Sequence, residues 1–377
     1  MKFVIAPDKF KGSLTGFEFC TAVEKGLLKV FPNAEIIHLP LADGGDGTLD
    51  IAQHHLKGSK TDCLVKDPFF REIQASYVFS EETETAYIEM AEASGLKRIA
   101  ENEKNVMQAT TYGTGELILN AIEKGAKHIL LGIGGSATND CGMGMAAALG
   151  YSFLDASGQK LKPIGANLSQ VETIDISNVH EKLKNIKFSI ACDVQNPLYG
   201  NEGAAFVYAE QKGASVEDIL QLDKGLQHFA SILQQQFGVD CQQINGAGAA
   251  GGIGAGSVVF LNGNLVSGIE LIKNISNFDE VIQDADWLIT GEGKLDEQTF
   301  YGKTIQGVIN SAEQYNIPVA AFCGAISLSI EQQQKMGLTY CTSILKSIST
   351  LNEAIEASEK NLIFSAYNLA QLIYLKK

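Results

Sequence analysis

Apolar and polar residues alternate along this chain with two periods, and the switches between them mark most of its elements. Phe3 to Ala6 is an unbroken apolar run that reads as a buried strand, closed by Pro7-Asp8. Thr15 and Glu18 form a capping-box pair ahead of an amphipathic pattern, which predicts a helix to about Phe31. Residues 35–41, "EIIHLPL", give a second apolar strand that ends in "ADGGDGT". Strand, helix and strand in that order predict a parallel sheet.

Beyond Gly58 the texture changes. "KTDCLVKDPFFREIQASYVFS" alternates and turns at Asp67-Pro68, as an antiparallel hairpin would, and "TAYIEMA" adds a strand. A helix over about 114–124, the strand "HILLGIG", a glycine loop, a helix through Leu149 and the strand "YSFLD" follow. Residues 187–193 and 203–209 read as further strands. After the glycine-rich stretch 246–256 the strand–helix alternation returns through "DWLITG", "IPVAAFCG", "LTYCTSIL" and a long C-terminal helix. The expected fold is α/β with two domains. Residues 1–59 and 280–377 would form a doubly wound, Rossmann- or flavodoxin-like parallel sheet, and residues 60–279 an inserted, mixed α/β domain.

Composition narrows the function. A length of 377 residues with 45% hydrophobic and 19% charged positions fits an ordinary soluble protein of about two domains. The net charge of −15 argues against nucleic acid or an anionic membrane as partner. The seven cysteines lack any C-x-x-C spacing and read as reduced thiols. "MKFVIAPD" is too short an apolar run for a signal peptide, and no stretch reaches membrane-helix length. A cytoplasmic location is the expectation.

Several stretches could carry chemistry. "LGIGGSATNDCGMG", residues 131–144, satisfies G-x-G-x-x-A through Gly132, Gly134 and Ala137, and Asp155 stands where a ribose-binding acid would. The polar cluster "SATND" is foreign to that fingerprint, and glycines here could equally serve strand–helix packing. "YGKT" at 301–304 contains Gly-Lys-Thr, but Glu297 occupies the place of the first Walker glycine. "APDKFKGS", "LADGGDGT", "ACDVQNPL" and "TGEGKLDEQT" each follow a predicted strand, where open α/β sheets bind ligands. Their glycines admit phosphate oxygens to backbone N–H groups, their carboxylates suit Mg²⁺ or proton abstraction, and Lys9, Lys11, Lys294 and Lys303 could offset phosphate charge. Each turn alone is also ordinary Asp-Gly chemistry. Arg71 in "KDPFFRE" could grip a carboxylate in a bidentate way or serve as a solvated ion-pair residue. Cys141 has no histidine partner in view and reads as a small turn residue. No H-E-x-x-H or G-x-S-x-G occurs. The residues therefore favour phosphoryl transfer to a small molecule without a Walker loop. An NAD-dependent dehydrogenase and a non-catalytic ligand sensor are the rivals.

Taken in order, "IAPDKFKGSL", "LPLADGGDGT", "TYGTGELI", "LGIGGSATNDCGMGM", "DVQNPLYG", "QKGA", "GAGAAGG" and "ITGEGKLDEQTFYGK" resemble the bacterial-type glycerate kinase family. The sequence departs from the family pattern at "FVYAE", at Lys9, and at "NDCG", where "NDGG" is usual. The resemblance implies transfer of the γ-phosphoryl group of ATP to D-glycerate with Mg²⁺, giving a phosphoglycerate, usually 2-phosphoglycerate, in a cleft between the two domains. It places Asp193 and Lys11 in catalysis, Asp193 as the group that orients or deprotonates the attacking hydroxyl. Arg71 and Lys11 would hold the substrate carboxylate and phosphate. Gly134, Gly135, Ser136, Thr138 and Asn139 would cradle nucleotide or glycerate. Asp8, Ser13, Asn196, Gly291, Gly293 and Lys294 complete the expected binding set, and Asp43, Glu292 and Asp296 are the candidates for Mg²⁺. Another small hydroxy acid as substrate, and a monomer or a homodimer, remain compatible with the sequence.

Overall fold

A computed structural model describes residues 1–10, 12–44, 48–296 and 304–375. Lys11 and Lys303 lie outside the described residues. The chain divides into two compact units, Met1–Asp43 with Ile272–Lys377, and Gly44–Leu271. The sequence reading drew these boundaries at 59/60 and 279/280. Thr48–Leu56 is a helix that packs on the strands Glu72–Ser80 and Thr85–Glu89 of the second unit.

The first unit is a five-stranded sheet in the order Tyr340–Ser343, Val319–Ile326, Trp287–Leu295, Lys2–Ile5, Glu35–His38, parallel throughout. Counted within the unit this is the 2-1-3-4-5 order of a flavodoxin-like, doubly wound sheet. The predicted capping box is present: Thr15 Oγ1 accepts from Glu18 N, and the helix Gly16–Leu27 follows. Its spacing buries Phe19, Cys20, Val23 and Leu27 beside Phe3, Phe322 and the C-terminal helix Ser358–Leu375. Burial of a side chain such as Phe19 is worth about 1.5–3 kcal/mol, so this face fixes the sheet.

The second unit holds a six-stranded mixed sheet in the order Asn264–Val266, Lys187–Ala191, His128–Gly132, Thr85–Glu89, Glu72–Ser80, Ser59–Lys66. The first four strands are parallel, and the last two form the expected antiparallel hairpin. Asp67 shapes its turn by accepting from the N–H groups of Phe69 and Arg71 at 2.8 and 2.9 Å.

Residues 203–209 are not the expected strand but contain the helix Ala204–Tyr208. Ala204, Ala205 and Ala209 are buried while Phe206 and Val207 face out, which is helical and not alternating burial. The helix Val216–Phe237 carries a Ser215–Asp218 capping box, and within Ala249–Leu261 the residues Ala250, Gly251 and Gly252 form a left-handed turn ahead of the regular helix. Among the described residues no helix is long and apolar enough to cross a membrane. All seven cysteines are free.

Candidate active site

Four parallel strands of the second unit end at one level. Glu89 pairs in register with Gly132, Gly132 with Ala191, and Ala191 with Val266. The loop 133–142 and Asp193 therefore leave adjacent strands at the carboxyl edge, where open α/β sheets place their ligands. Asp193 is exposed, and its Oδ1 accepts from the N–H of Gly268 at 2.9 Å, which joins the ends of two strands.

The loop has two halves. Gly134 and Gly135 are exposed, and a Cβ at Gly134 would meet nothing nearer than Gly44 O at 3.6 Å. Packing does not require a glycine there, so the bare backbone keeps an approach open to an anion. Ser136 to Asp140 are buried. The buried half is clamped from the 94–96 segment: Leu96 N donates to Gly135 O at 2.9 Å and Ala137 N to Ser94 O at 3.0 Å. From the other side Cys141 N donates to Gly251 O at 3.0 Å.

Asp140, next to the expected cradle residues, is structural. Its carboxylate accepts from Thr111 N and Oγ1 at 2.8 Å each, from Gly144 N at 3.1 Å and from Gly142 N at 3.2 Å. Burial raises its pKa, opposed by these donors. Lys212, in the "QKGA" stretch, is the residue that sequence reasoning left out of the site. It is 3% exposed, and its Nζ donates to Ser136 Oγ at 2.6 Å and to Thr138 O at 2.7 Å. Burial pushes its pKa down to about 7, against the pull of Asp140. Thr138 Oγ1 and both amide atoms of Asn139 are buried without a hydrogen-bond partner. Buried polar atoms are nearly always paired, so these three orphans beside a buried lysine are hydrogen-bonding capacity that a polar ligand could meet.

The same geometry disposes of the dinucleotide reading. A Rossmann turn delivers its glycines straight to a helix N-terminus, but here the helix Met143–Ala148 begins only after the buried Ser136–Asp140 run. Asp155 lies beyond Ser152–Leu154, a strand of a separate two-stranded sheet, and its Oδ1 is taken by Ser157 and Gln159. Cys141 has φ +52 and is fully buried, with burial driving its thiol pKa far up. It occupies a left-handed turn position, which explains why glycine is usual there, and it is not a nucleophile.

Other expected ligand contacts are engaged within the unit. Asn196 Nδ2 donates to Glu202 O at 2.9 Å, and its Oδ1 accepts from Tyr208 Oη at 2.6 Å, so the amide holds its own loop. Arg71 donates from Nε to Asp67 and from Nη1 to Glu103 at 3.1 Å, and its guanidinium lies 5.5 Å from the Phe69 ring. These carboxylates raise its pKa further.

In the first unit, strand order reverses between Lys2–Ile5 and Trp287–Leu295, and Asp8 sits at this switch point. Its N–H donates to Gly291 O at 2.9 Å. Its carboxylate accepts from Thr304 Oγ1 and Lys9 N, both at 2.7 Å. Burial raises its pKa, and the nearby charge of Asp43 adds to the rise. Gly291 is required by packing, since a Cβ would stand 2.2 Å from Phe322 O. Glu292 and Gly293 continue the strand, and Lys294 pairs with Asp296 at 3.1 Å. Ser13 Oγ donates to Ser358 Oγ at 2.6 Å. Among the described residues no three His, Cys, Asp or Glu side chains gather as a metal-holding group. A Mg²⁺ ion that keeps its waters and nucleotide oxygens needs only one or two carboxylates, and Asp43, Glu292 and Asp296 are the candidates of this unit, Asp296 being paired with Lys294.

Comparison with known proteins gives a consistent picture. The model of the glycerate kinase family matches residues 3–374. A glycerate kinase of Bacillus cereus is 45% identical over 370 residues, 98% of this chain and 97% of that protein. The glycerate 2-kinase of Escherichia coli is 41% identical over 370 residues, again 98% of this chain and 97% of that one. A crystal structure from Salmonella typhimurium LT2, assigned as a glycerate kinase 2, superposes with a TM-score of 0.91 at 39% identity, covering 100% of this chain and 99% of that one.

Proposed function

The chain belongs to the glycerate kinase family, and from that premise we propose that it phosphorylates D-glycerate with ATP and Mg²⁺ by direct in-line transfer, giving 2-phosphoglycerate. The Escherichia coli relative bears the name glycerate 2-kinase, which supports the 2-hydroxyl as acceptor. The observation that carries the reading is the loop 133–142. It offers two exposed glycines, three orphaned buried polar atoms and a buried lysine at the level where Asp193 leaves the neighbouring strand.

In this reading Asp193 aligns the attacking hydroxyl and accepts its proton. A loose phosphoryl-transfer transition state asks mainly for positioning and charge stabilisation, so a carboxylate of ordinary basicity is enough. The backbone of Gly134 and Gly135 and the side chains of Ser136, Thr138 and Asn139 hold phosphoryl or carboxylate oxygens, with the Lys212 charge behind them. Arg71 and Lys11 serve the substrate's anionic groups. Asp8, Ser13, Gly291, Gly293 and Lys294 would complete the substrate- or nucleotide-binding set, and Asn196 keeps the Asp193 loop in shape. Mg²⁺ held through Asp43, Glu292 or Asp296 would supply charge neutralisation at the phosphates. A cytoplasmic location accords with the reduced cysteines.

The test is a coupled assay of ADP release with D-glycerate, L-glycerate or no acid, followed by NMR of the product. The reading expects release that depends on D-glycerate and a phosphate on O2. Release that is independent of any acid would overturn it, and a product phosphorylated on O3 would overturn the assignment of the 2-hydroxyl.

A further inference from the structure

The second unit also contains a cavity of about 450 Å³ that none of these roles uses. Its size falls within the range of small-molecule sites. It includes Ile186, which immediately precedes the strand Lys187–Ala191, whereas Asp193 follows that strand. The cavity therefore opens at the amino edge of the parallel strands, opposite the edge that carries the loop 133–142.

Its floor is aromatic. Tyr151 and Phe260 stand edge to face at 5.1 Å, Phe237 meets Phe260 at 6.0 Å, and the Tyr151 hydroxyl donates to Phe260 O at 3.0 Å. Its rim is charged with both signs. Glu181 and Lys184 lie three residues apart on the 3-10 helix Glu181–Asn185, so their side chains eclipse about 6 Å apart. Both are exposed, and among the described residues neither makes an ion pair. His180 precedes them, with its Nδ1 buried and without a hydrogen-bond partner.

We propose that this cavity is a second small-molecule site and that its ligand is an apolar α-amino acid. The apolar side chain lies on the aromatic floor, the carboxylate meets Lys184 and His180, and the ammonium meets Glu181. A simple organic acid would bring its charge against Glu181, and a simple amine against Lys184. A zwitterion satisfies both. The site is connected to the loop 133–142 through residues 249–261, which form a helix after a left-handed turn at Ala250, Gly251 and Gly252. The far end of that helix, through Phe260, lines the cavity, and the turn that precedes it sets Gly251 and Gly252 against Thr138, Asn139 and Cys141.

The experiment is titration calorimetry on the intact protein with L-phenylalanine, L-leucine, 3-phenylpropionate and phenethylamine. L-Phenylalanine or L-leucine should bind with Kd of about 1 mM or tighter, and the two singly charged analogues at least about tenfold more weakly. Lys184→Gln should weaken L-phenylalanine and 3-phenylpropionate but spare phenethylamine, and Glu181→Gln should weaken L-phenylalanine and phenethylamine but spare 3-phenylpropionate. Both residues are exposed, so folding is not at stake. No binding of either amino acid at about 10 mM overturns the site, and equal binding by an analogue overturns the zwitterion. Bound L-phenylalanine should slow hydrogen exchange in residues 138–145, and unchanged exchange at saturation overturns the tie to the loop. These readouts are independent of kinase activity.

Discussion

Lys212 Nζ stands 2.6 Å from Ser136 Oγ and 2.7 Å from Thr138 O, so one buried amine braces the turn that carries the orphaned Thr138 hydroxyl and Asn139 amide. Lys212→Met removes the charge while keeping most of the side-chain volume. The expected result is a loss of about 100-fold or more in kcat/KM, the scale seen when one preorganised donor to a transition-state anion is deleted. Steady-state kinetics with D-glycerate check this. A loss below about threefold would assign Lys212 to the scaffold alone.

The same amine predicts a pH dependence of stability. Its ordinary pKa of 10.5 applies to the unfolded chain, and burial brings it to about 7 in the fold. Between those values the unfolded chain binds more protons, so raising the pH through that window favours folding. Below about pH 7 the cost of burying the ammonium is present in full. Urea midpoints should therefore rise between pH 7 and pH 10 more steeply in the parent protein than in Lys212→Met, with each unit of depression worth about 1.4 kcal/mol. Parallel slopes would show that the amine is not depressed.

Asp193 has two separable duties, because its Oδ1 holds Gly268 N at 2.9 Å. Asp193→Asn retains an oxygen for that bond and removes the base. It should lower kcat by about 100-fold, the contribution usual for positioned proton transfer, with little change in melting temperature. Asp193→Ala should lose both activity and about 1 kcal/mol or more of stability. An Asn variant within tenfold of the parent rate would remove Asp193 from the chemistry.

The strand-end turns were legible in the sequence because they rest on local chemistry. Apolar runs closed by "PD", "ADGGDG" or "CD" mark strand termini, and a Thr15–Glu18 capping box states where a helix begins. What the sequence concealed was which polar residues look outward. Asp140 and Thr138 are both short polar residues of one loop, yet Asp140 satisfies four donors and the Thr138 hydroxyl none. Two of those four donors come from Thr111, 29 residues away in sequence, which no local pattern reports. Lys212 was hidden likewise, since its partners are 76 and 74 residues distant. The misread segment 203–209 failed for another reason. Seven residues are too few to separate a two-residue from a 3.6-residue period, and only the burial of Ala204, Ala205 and Ala209 in the fold reveals the helix. The helix Val216–Phe237 did have a signal, the Ser215–Asp218 cap followed by Leu222, Leu226, Phe229 and Leu233.

Arg71 offers a test of substrate recognition separate from stability. Its side chain is 47% exposed, but its partner Asp67 is buried, so Arg71→Gln should cost about 1–3 kcal/mol in urea denaturation. If its guanidinium grips the glycerate carboxylate, KM should rise about tenfold or more with kcat little changed. An unchanged KM would leave Arg71 as a clasp between the hairpin turn and Glu103.

Gly251 and Gly158 share a left-handed backbone, φ +75 and +79, but only Gly251 lies against the loop. A Cβ at 251 would stand 2.0 Å from Thr138 O and 2.7 Å from Asn139 Cα, which are backbone atoms that cannot turn aside. A Cβ at 158 would meet nothing within 4 Å. Gly158→Ala should therefore cost about 1 kcal/mol, the strain of a positive φ alone, and leave activity intact. Gly251→Ala must displace the segment 138–139, so it should cost about 3 kcal/mol or more and lower kcat/KM beyond what lost folded protein explains. Urea denaturation with activity measured per folded molecule separates the two effects. Equal costs at both positions would mean that the glycine-rich turn at 250–252 does not seat the loop.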